Sequence, residues 1–506
     1  MNHWLLARWH MSLGVWRYRR QQYAAALQHY VKVGEILPDE SAPLIAIGHC
    51  YFALKNYAAA LEVYERALER KPDSETAHAS LGLVYAELQR FQAAVDEVRR
   101  AIRIDPANKR RAYWEANIGV WLSNLGKLHD AIEAFEWVIQ HEPDAQTFFN
   151  LGAAQSRLKN HQAALDAYEK ARRLDRTDGE TLTCLGQTYN ELNRPDQALE
   201  YLSAAIQLIP GSFEAHSSLA ETYGKLGRFE DAVHAGERAI DLNPNQAIAY
   251  FNLGVAYGEI GRRQDEIDAY LKASEIQPDD VPTLINLAIA YSQRGQYESA
   301  IHHWRHIVEL RPTSIEALTH LGMDYERLGR FSDALEVAQR IVRIAPDAIA
   351  HANVGVCLNR LSCYADALVS ARAANSLNPD YPGAYEVAGF ALQGLNRHEA
   401  ALNEYQRLLD LNTSDVEAIV RTLANMGDAY LKLGRNEDAV SSLLKAVDLK
   451  AEQPDLRHLL GVAHFRMGNR EAALRELQIV LKLDPLFEGE LMKLLDSKNN
   501  LGSIGN

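Results

Sequence analysis

Cysteine is scarce in this chain: four residues in 506, at Cys50, Cys184, Cys357 and Cys363. None sits in a CxxC pair or at a metal-ligand spacing, which excludes a zinc ribbon and a disulfide framework. They are expected as reduced, small, buried side chains of a cytoplasmic protein. Long apolar runs are missing too, so no segment reaches the length that spans a bilayer. The opening MNHWLLARWHMSLGVW is interrupted by Arg8 and His10 and has no basic start ahead of an apolar core, so it does not read as a secretory leader. Basic residues are in deficit, 53 against 67 acidic for a formal charge of −14, which weighs against nucleic acid or an anionic membrane as the main partner. Local exceptions are WRYRR at 16–20 and NKRR at 108–111, basic with aromatics nearby, a composition suited to phosphate or an acidic tail. No GxGxxG follows a strand, and no GxSxG, phosphate-binding loop or paired-carboxylate motif stands out. Neither a catalytic constellation nor a cofactor is expected.

What the chain has instead is order and repetition. Hydrophobic residues make up 47% and charged residues 24%, the balance of a folded protein. Single cores stop growing at roughly 250–300 residues, a limit that a repeat array escapes. In AYFNLGVAYGEIGR, residues 249–262, a helical pattern carries Gly254 and Asn252, both poor helix formers. The glycine returns at a spacing of about 34 residues as Gly14, Gly48, Gly82, Gly119, Gly152, Gly186, Gly322, Gly355, Gly389, Gly427 and Gly461, with Ala220 and Ala288 in the two remaining slots. Twelve residues after each slot comes alanine, from Ala26 to Ala473, with Glu266 the exception; twelve further on comes proline in eleven of fourteen cases. All sixteen prolines fall at repeat ends or in the first turn of a helix, where no helical hydrogen bond is lost.

Size-restricted positions at fixed offsets over residues 7–487 resemble the tetratricopeptide repeat, most fully at Tyr250, Leu253, Gly254, Tyr257, Gly261, Tyr270, Ala273 and Pro278. The resemblance implies an all-α, right-handed superhelical solenoid of antiparallel helix pairs, about fourteen in number, with Gly254 placed where helix A of a pair approaches helix B. Apolar residues at i, i+3, i+4 and i+7 agree, since neither helix of a unit can bury its face alone.

Departures from the repeat divide the chain into expected parts: 1–108 with three repeats, 109–415 after a KRR insertion at 109–111, 416–487 after a VEAI insertion at 416–419, and 488–506 as the end of a cap helix and a disordered tail. Arg176, Thr413 and Ala451 replace the closing proline. Bending or loosening is expected at 109–111, at Glu266 and around 413–451.

Several residue groups invite a chemical reading. His302 and His306 in HHWRH lie one turn apart and could share a metal, but no third ligand or HExxH glutamate accompanies them, so a solvated helix face is the expectation. His10, His78, His216 and His351 occupy the slot of the consensus tryptophan, which packing explains. Leu6, Trp9, Leu13 and Trp16 share one face of the first helix, expected to turn inward; the alternative is that Trp4, Trp9 or Trp16 form a terminal interface, for a partner or a second copy, because a first repeat has no predecessor to cover it.

By the same resemblance, the residue two places before the glycine and its neighbours face a concave groove. Asn252 holds that slot, with Asn117, Asn150, Asn286, Asn353 and Asn425 in other repeats, similar to the asparagine ladder of O-linked N-acetylglucosamine transferases. Carboxamides can bond the peptide groups of an extended chain without reading its sequence, or can serve inter-helix packing. Beside the central asparagines lie Phe251, Val255, Ile285, Ile289, Met323, Val356 and Phe390, which suits an apolar side chain or an amphipathic helix. The family's carboxylate clamp is absent, since its slots hold residues such as Phe251, Ile285, Glu316 and Thr319. The expected function is a non-enzymatic cytoplasmic scaffold that binds a protein segment and assembles a complex. Alternatives are the recruiting module of a glycosyltransferase-like enzyme and a self-assembling structural protein.

Overall fold

The computed structural model describes residues 3–411 and 414–484, which form twenty-eight helices in tandem pairs and no strand. Thr413, the cap-helix residues after Pro485 and the 488–506 tail lie outside the described residues. The chain forms two compact units, Met1–Ala269 and Tyr270–Asn506, divided within the helix Arg263–Ile276.

Each pair is made by one turn geometry. Seven residues after every glycine slot the backbone takes the left-handed conformation, with glycine at seven of these positions, Gly227 among them, and other residues at seven, including Lys55 at φ 58°. At Gly227 the adjoining amide of Arg228 bonds Tyr223 O at 2.9 Å, the six-to-one bond of a Schellman ending, which closes helix A, Phe213–Lys225, and aims the chain into helix B, Phe229–Leu242. Helix A usually starts on a side-chain cap: Ser74, Asp144, Asp178, Ser212, Asp280, Ser314, Asp347 and Asp415 each accept from a backbone amide two or three residues on.

Small residues then let the pair close. All thirteen alanines of the second slot, from Ala26 to Ala473, are at most 2% exposed. In the first slot, the glycine faces the large side chain sixteen residues later on helix B: Gly14 against Tyr30, Gly48 against Tyr64, Gly119 against Phe135, Gly152 against Tyr168, Gly389 against Tyr405. Where the first slot holds Ala220, residue 236 is itself glycine, so the pair keeps one small partner. At Gly355 the space is filled from the next repeat, by Val387. Glu266 is buried in the alanine slot with its carboxylate paired to Arg263 at 3.0 Å, and Gly258 leaves room for it: a Cβ there would lie 2.7 Å from Oε1.

Consecutive pairs are tied at their joints. The tryptophan-slot side chain reaches the carbonyl that closes the preceding repeat: His78 Nε2 to Pro72 O at 2.9 Å, His216 Nε2 to Pro210 O at 3.1 Å, Tyr385 OH to Pro379 O at 2.8 Å, and Arg457 Nε to Ala451 O at 3.1 Å. Both insertions are absorbed into structure. Residues 109–111 form a turn and the first residue of Arg111–Asn124, where Arg111 bonds Pro106 O at 3.2 Å and lies 4.2 Å over the Trp137 ring. Residues 416–419 add a turn to helix A, making Val416–Lys432 seventeen residues long.

Two expectations are corrected. The first helix, His3–Arg19, turns Ala7, His10 and Gly14 inward and leaves Trp4, Trp9 and Trp16 exposed. Its rotation follows the contact of Gly14 with Tyr30, which no bulkier residue at 14 would permit. Of the cysteines, Cys50 and Cys357 are buried, but Cys184 is half-buried and Cys363 is exposed, because it precedes the helix Tyr364–Leu377 in the turn rather than packing in a core.

Candidate functional site

Several A helices pack on the A helix of a neighbouring repeat, as Gly179–Glu191 does on Phe213–Lys225 and Ala348–Arg360 on Pro382–Gly394. The sequence-expected residues lie on A helices of the two units.

In the first unit most carboxamides are engaged. Asn117 Nδ2 donates to Tyr113 O at 2.8 Å in its own helix, Asn150 Oδ1 accepts from Gln146 at 3.2 Å, and Asn252 Nδ2 reaches Ser217 O in the preceding repeat at 3.5 Å. Phe251 and Val255 beside it are half-buried. In the second unit, Asn286 Nδ2 donates to Tyr270 OH at 3.3 Å, Asn425 is half-buried, and its backbone carbonyl accepts from Gln393 at 3.2 Å. Asn353 is exposed. Ile285, Ile289 and Val356 rest against the core, whereas Met323 and Phe390 are 49% and 43% exposed. The second unit therefore offers two large apolar side chains at one slot, one on Ile315–Arg327 and one on Pro382–Gly394, that its own packing does not consume.

A cleft in the first unit was not legible as a site. Phe149, Glu180, Thr183, Cys184, Gln187 and Glu214 line it, and an adjoining hollow takes in Glu191, Ser217, Ser218 and Asn252. Its polar lining is ordered by Gln187 Nε2 donating to Ser218 Oγ at 3.0 Å and by buried Asn190, whose amide donates to Thr222 Oγ1 at 2.9 Å. Burial pushes the Cys184 thiol up to about 11, so it is no thiolate nucleophile near neutrality. The signal available was Cys184 and Ser218 in the asparagine slot, with Glu180 and Glu214 one helical turn earlier.

The histidines of HHWRH do not converge on a metal. His302 points to solvent, His306 Nε2 lies 3.0 Å from Asp279 Oδ1, and His303 stacks on Tyr291 at 5.7 Å. Burial, with His302 and His306 nearby, lowers the His303 imidazole to about 4, so it stays neutral. Among the described residues no three or more His, Cys, Asp or Glu side chains gather as a metal site, and no helix is long and apolar enough to cross a membrane.

Models described as tetratricopeptide repeat match residues 45–109, 122–179, 180–212, 217–281, 280–347 and 319–385, and one described as TPR repeat matches 427–468. A curated relative, the photosystem I assembly protein Ycf3 of Prochlorococcus marinus, is 32% identical over 94 residues, 19% of this chain and 53% of that protein. The chain thus spans about half the length of that relative. Among solved structures, the anaphase-promoting-complex hetero-tetramer Cut9–Hcn1 is 17% identical, with 98% of this chain and 96% of that one covered at a TM-score of 0.40. YrrB, a TPR protein with an unusual peptide-binding site, is 25% identical, covering 38% and 95% at a TM-score of 0.31.

Proposed function

This chain belongs to the tetratricopeptide repeat family, and on that premise we propose that it is a non-enzymatic scaffold, receiving a segment of a protein partner on its A helices and so assembling a complex. The observation that carries this reading is the exposure of Met323 and Phe390 on A helices whose opposite faces are fully packed. A methionine and a phenylalanine left in water are adaptable, apolar anchors, and an amphipathic helix laid across them would remove both from solvent. Asn353, exposed between their repeats, adds donors and an acceptor for the backbone of such a ligand. Four free cysteines suit the cytoplasm, where thiols stay reduced.

The test uses the full chain as bait in extract of the source cells, with captured chains identified and their affinity measured on purified components. The variant Met323→Ala/Phe390→Ala should lose the partner while keeping its helical spectrum. A partner held at equal affinity by that variant rejects this face.

A further inference from the structure

The first 34 residues contain Arg8, Arg17, Arg19, Arg20 and Lys32 and no aspartate or glutamate; the first carboxylate is Glu35. In a chain of formal charge −14 this is a sharp local reversal. The helix His3–Arg19 turns Ala7, His10 and Gly14 to the core, and its remaining surface carries Trp4, Leu5, Trp9, Val15 and Trp16, all exposed, interleaved with exposed Arg8 and Arg19, with exposed Arg20 in the turn that follows. Cations and rings are already in register: the Arg8 guanidinium lies 5.5 Å from the Trp4 ring, and Arg17 and Arg20 lie 5.1 Å and 4.1 Å from that of Trp16.

We infer that this outer face of His3–Arg19 docks on an anionic phospholipid surface. Indole rings have an apolar body and a polar N–H and settle at headgroup depth, while guanidinium groups meet phosphate with paired donors. The exposed face combines three tryptophans, a leucine and a valine with arginines, the residue types that settle at headgroup depth and that meet anionic lipid. Charge complementarity selects the occupant. A second copy meeting this face with the same face would bring two sets of arginines together with no carboxylate in the first 34 residues of either chain to pair them. An anionic bilayer supplies phosphates at high density and an apolar layer beneath them. This surface belongs to the first unit and shares no residue with the Met323–Phe390 face, which belongs to the second.

The experiment mixes the full chain with vesicles of phosphatidylcholine alone or of phosphatidylcholine with phosphatidylglycerol. Sedimentation with the anionic vesicles only, a blue shift of tryptophan emission on binding and release by added salt are the expected results. Arg8→Gln/Arg19→Gln/Arg20→Gln should weaken binding roughly a hundredfold, at about fivefold per arginine. Trp4→Ala/Trp9→Ala/Trp16→Ala should abolish the emission shift, and both variants should keep their helical spectrum because the altered side chains are exposed. The inference is overturned if neutral vesicles bind equally well, if anionic vesicles do not bind, or if light scattering shows a dimer that the tryptophan variant dissolves, which would assign the face to a second copy.

Discussion

Gly152 and Tyr168 claim the same volume: a Cβ built on the glycine would lie 2.6 Å from Cε1 of the tyrosine ring. At the equivalent pair Ala220 and Gly236 the sizes are exchanged, and a Cβ at Gly236 would meet Leu253 at an ordinary 3.5 Å. Gly152→Ala should therefore destabilise its repeat by about 1–3 kcal/mol, the cost of overpacking. Gly236→Ala should be neutral or stabilising by up to about 1 kcal/mol, since alanine is the better helix former. Hydrogen exchange of the amides in each repeat measures both, and equal effects would dismiss the size-exchange account.

The turn slot makes an opposite prediction. Lys55 holds a left-handed backbone at φ 58°, which costs a side chain with a Cβ roughly 1–2 kcal/mol. Lys55→Gly should recover about 1 kcal/mol locally, and Gly227→Ala, at φ 70°, should lose a similar amount. Local exchange free energies that do not move in these directions would show that the turns are held by something other than backbone conformation.

Asp324 ties two repeats together inside the second unit. Its Oδ2 accepts from Trp304 Nε1 at 3.0 Å and from Ser292 Oγ at 2.7 Å. Burial raises its pKa above the usual carboxylate range, although both hydrogen bonds, His320 and Arg327 oppose the rise. Because the folded state then holds its proton more tightly than the unfolded chain, this residue's contribution is fully present below the unfolded carboxylate value of about 4 and is lost as pH rises through the folded value. Asp324→Asn, which keeps an acceptor, should flatten that dependence. Asp324→Ala should cost about 1–3 kcal/mol by stranding the buried indole N–H of Trp304. Thermal melts across acidic to neutral pH decide the matter: a slope unchanged in the asparagine variant removes Asp324 as its source.

For the docking face, Phe390→Ala and Met323→Ala should each leave stability within about 0.5 kcal/mol, as expected of exposed positions. Each should cost about 2 kcal/mol of partner affinity, roughly thirtyfold, if they are anchors. Calorimetric titration with the captured partner reads the loss. Unchanged affinity in both would leave these side chains as ordinary exposed apolar residues.

Much of the architecture was legible before any coordinates. The alanine slot is a local matter, because helix-helix approach depends on the size of residues at fixed offsets, and all thirteen alanines from Ala26 to Ala473 are buried. The turn slot was legible only where it holds glycine, as at Gly261, and not where Lys55 or Gln89 adopts the same conformation under the constraint of the helices on either side. The role of Gly258 could not be read either, since its partner is the Glu266 carboxylate, which breaks the pattern that would have located it.

By itself, then, the sequence determined the helix pairs, their number of residues and their small contact positions, because these follow from short-range periodicity. Tertiary structure decided which exposed chemistry remains. Leu6, Trp9, Leu13 and Trp16 share a helical face as convincingly as any core stripe, yet the face that turns inward is the one on which Gly14 admits Tyr30. Likewise Asn252 and Asn286 look alike in sequence, but each spends its amide on an acceptor, Ser217 O and Tyr270 OH, brought to it by another helix, while Asn353 stays open to solvent. A residue's spacing within one helix fixes its direction from that helix's axis; whether it is covered, bonded or free depends on groups that other helices bring to it, which the same spacing does not encode.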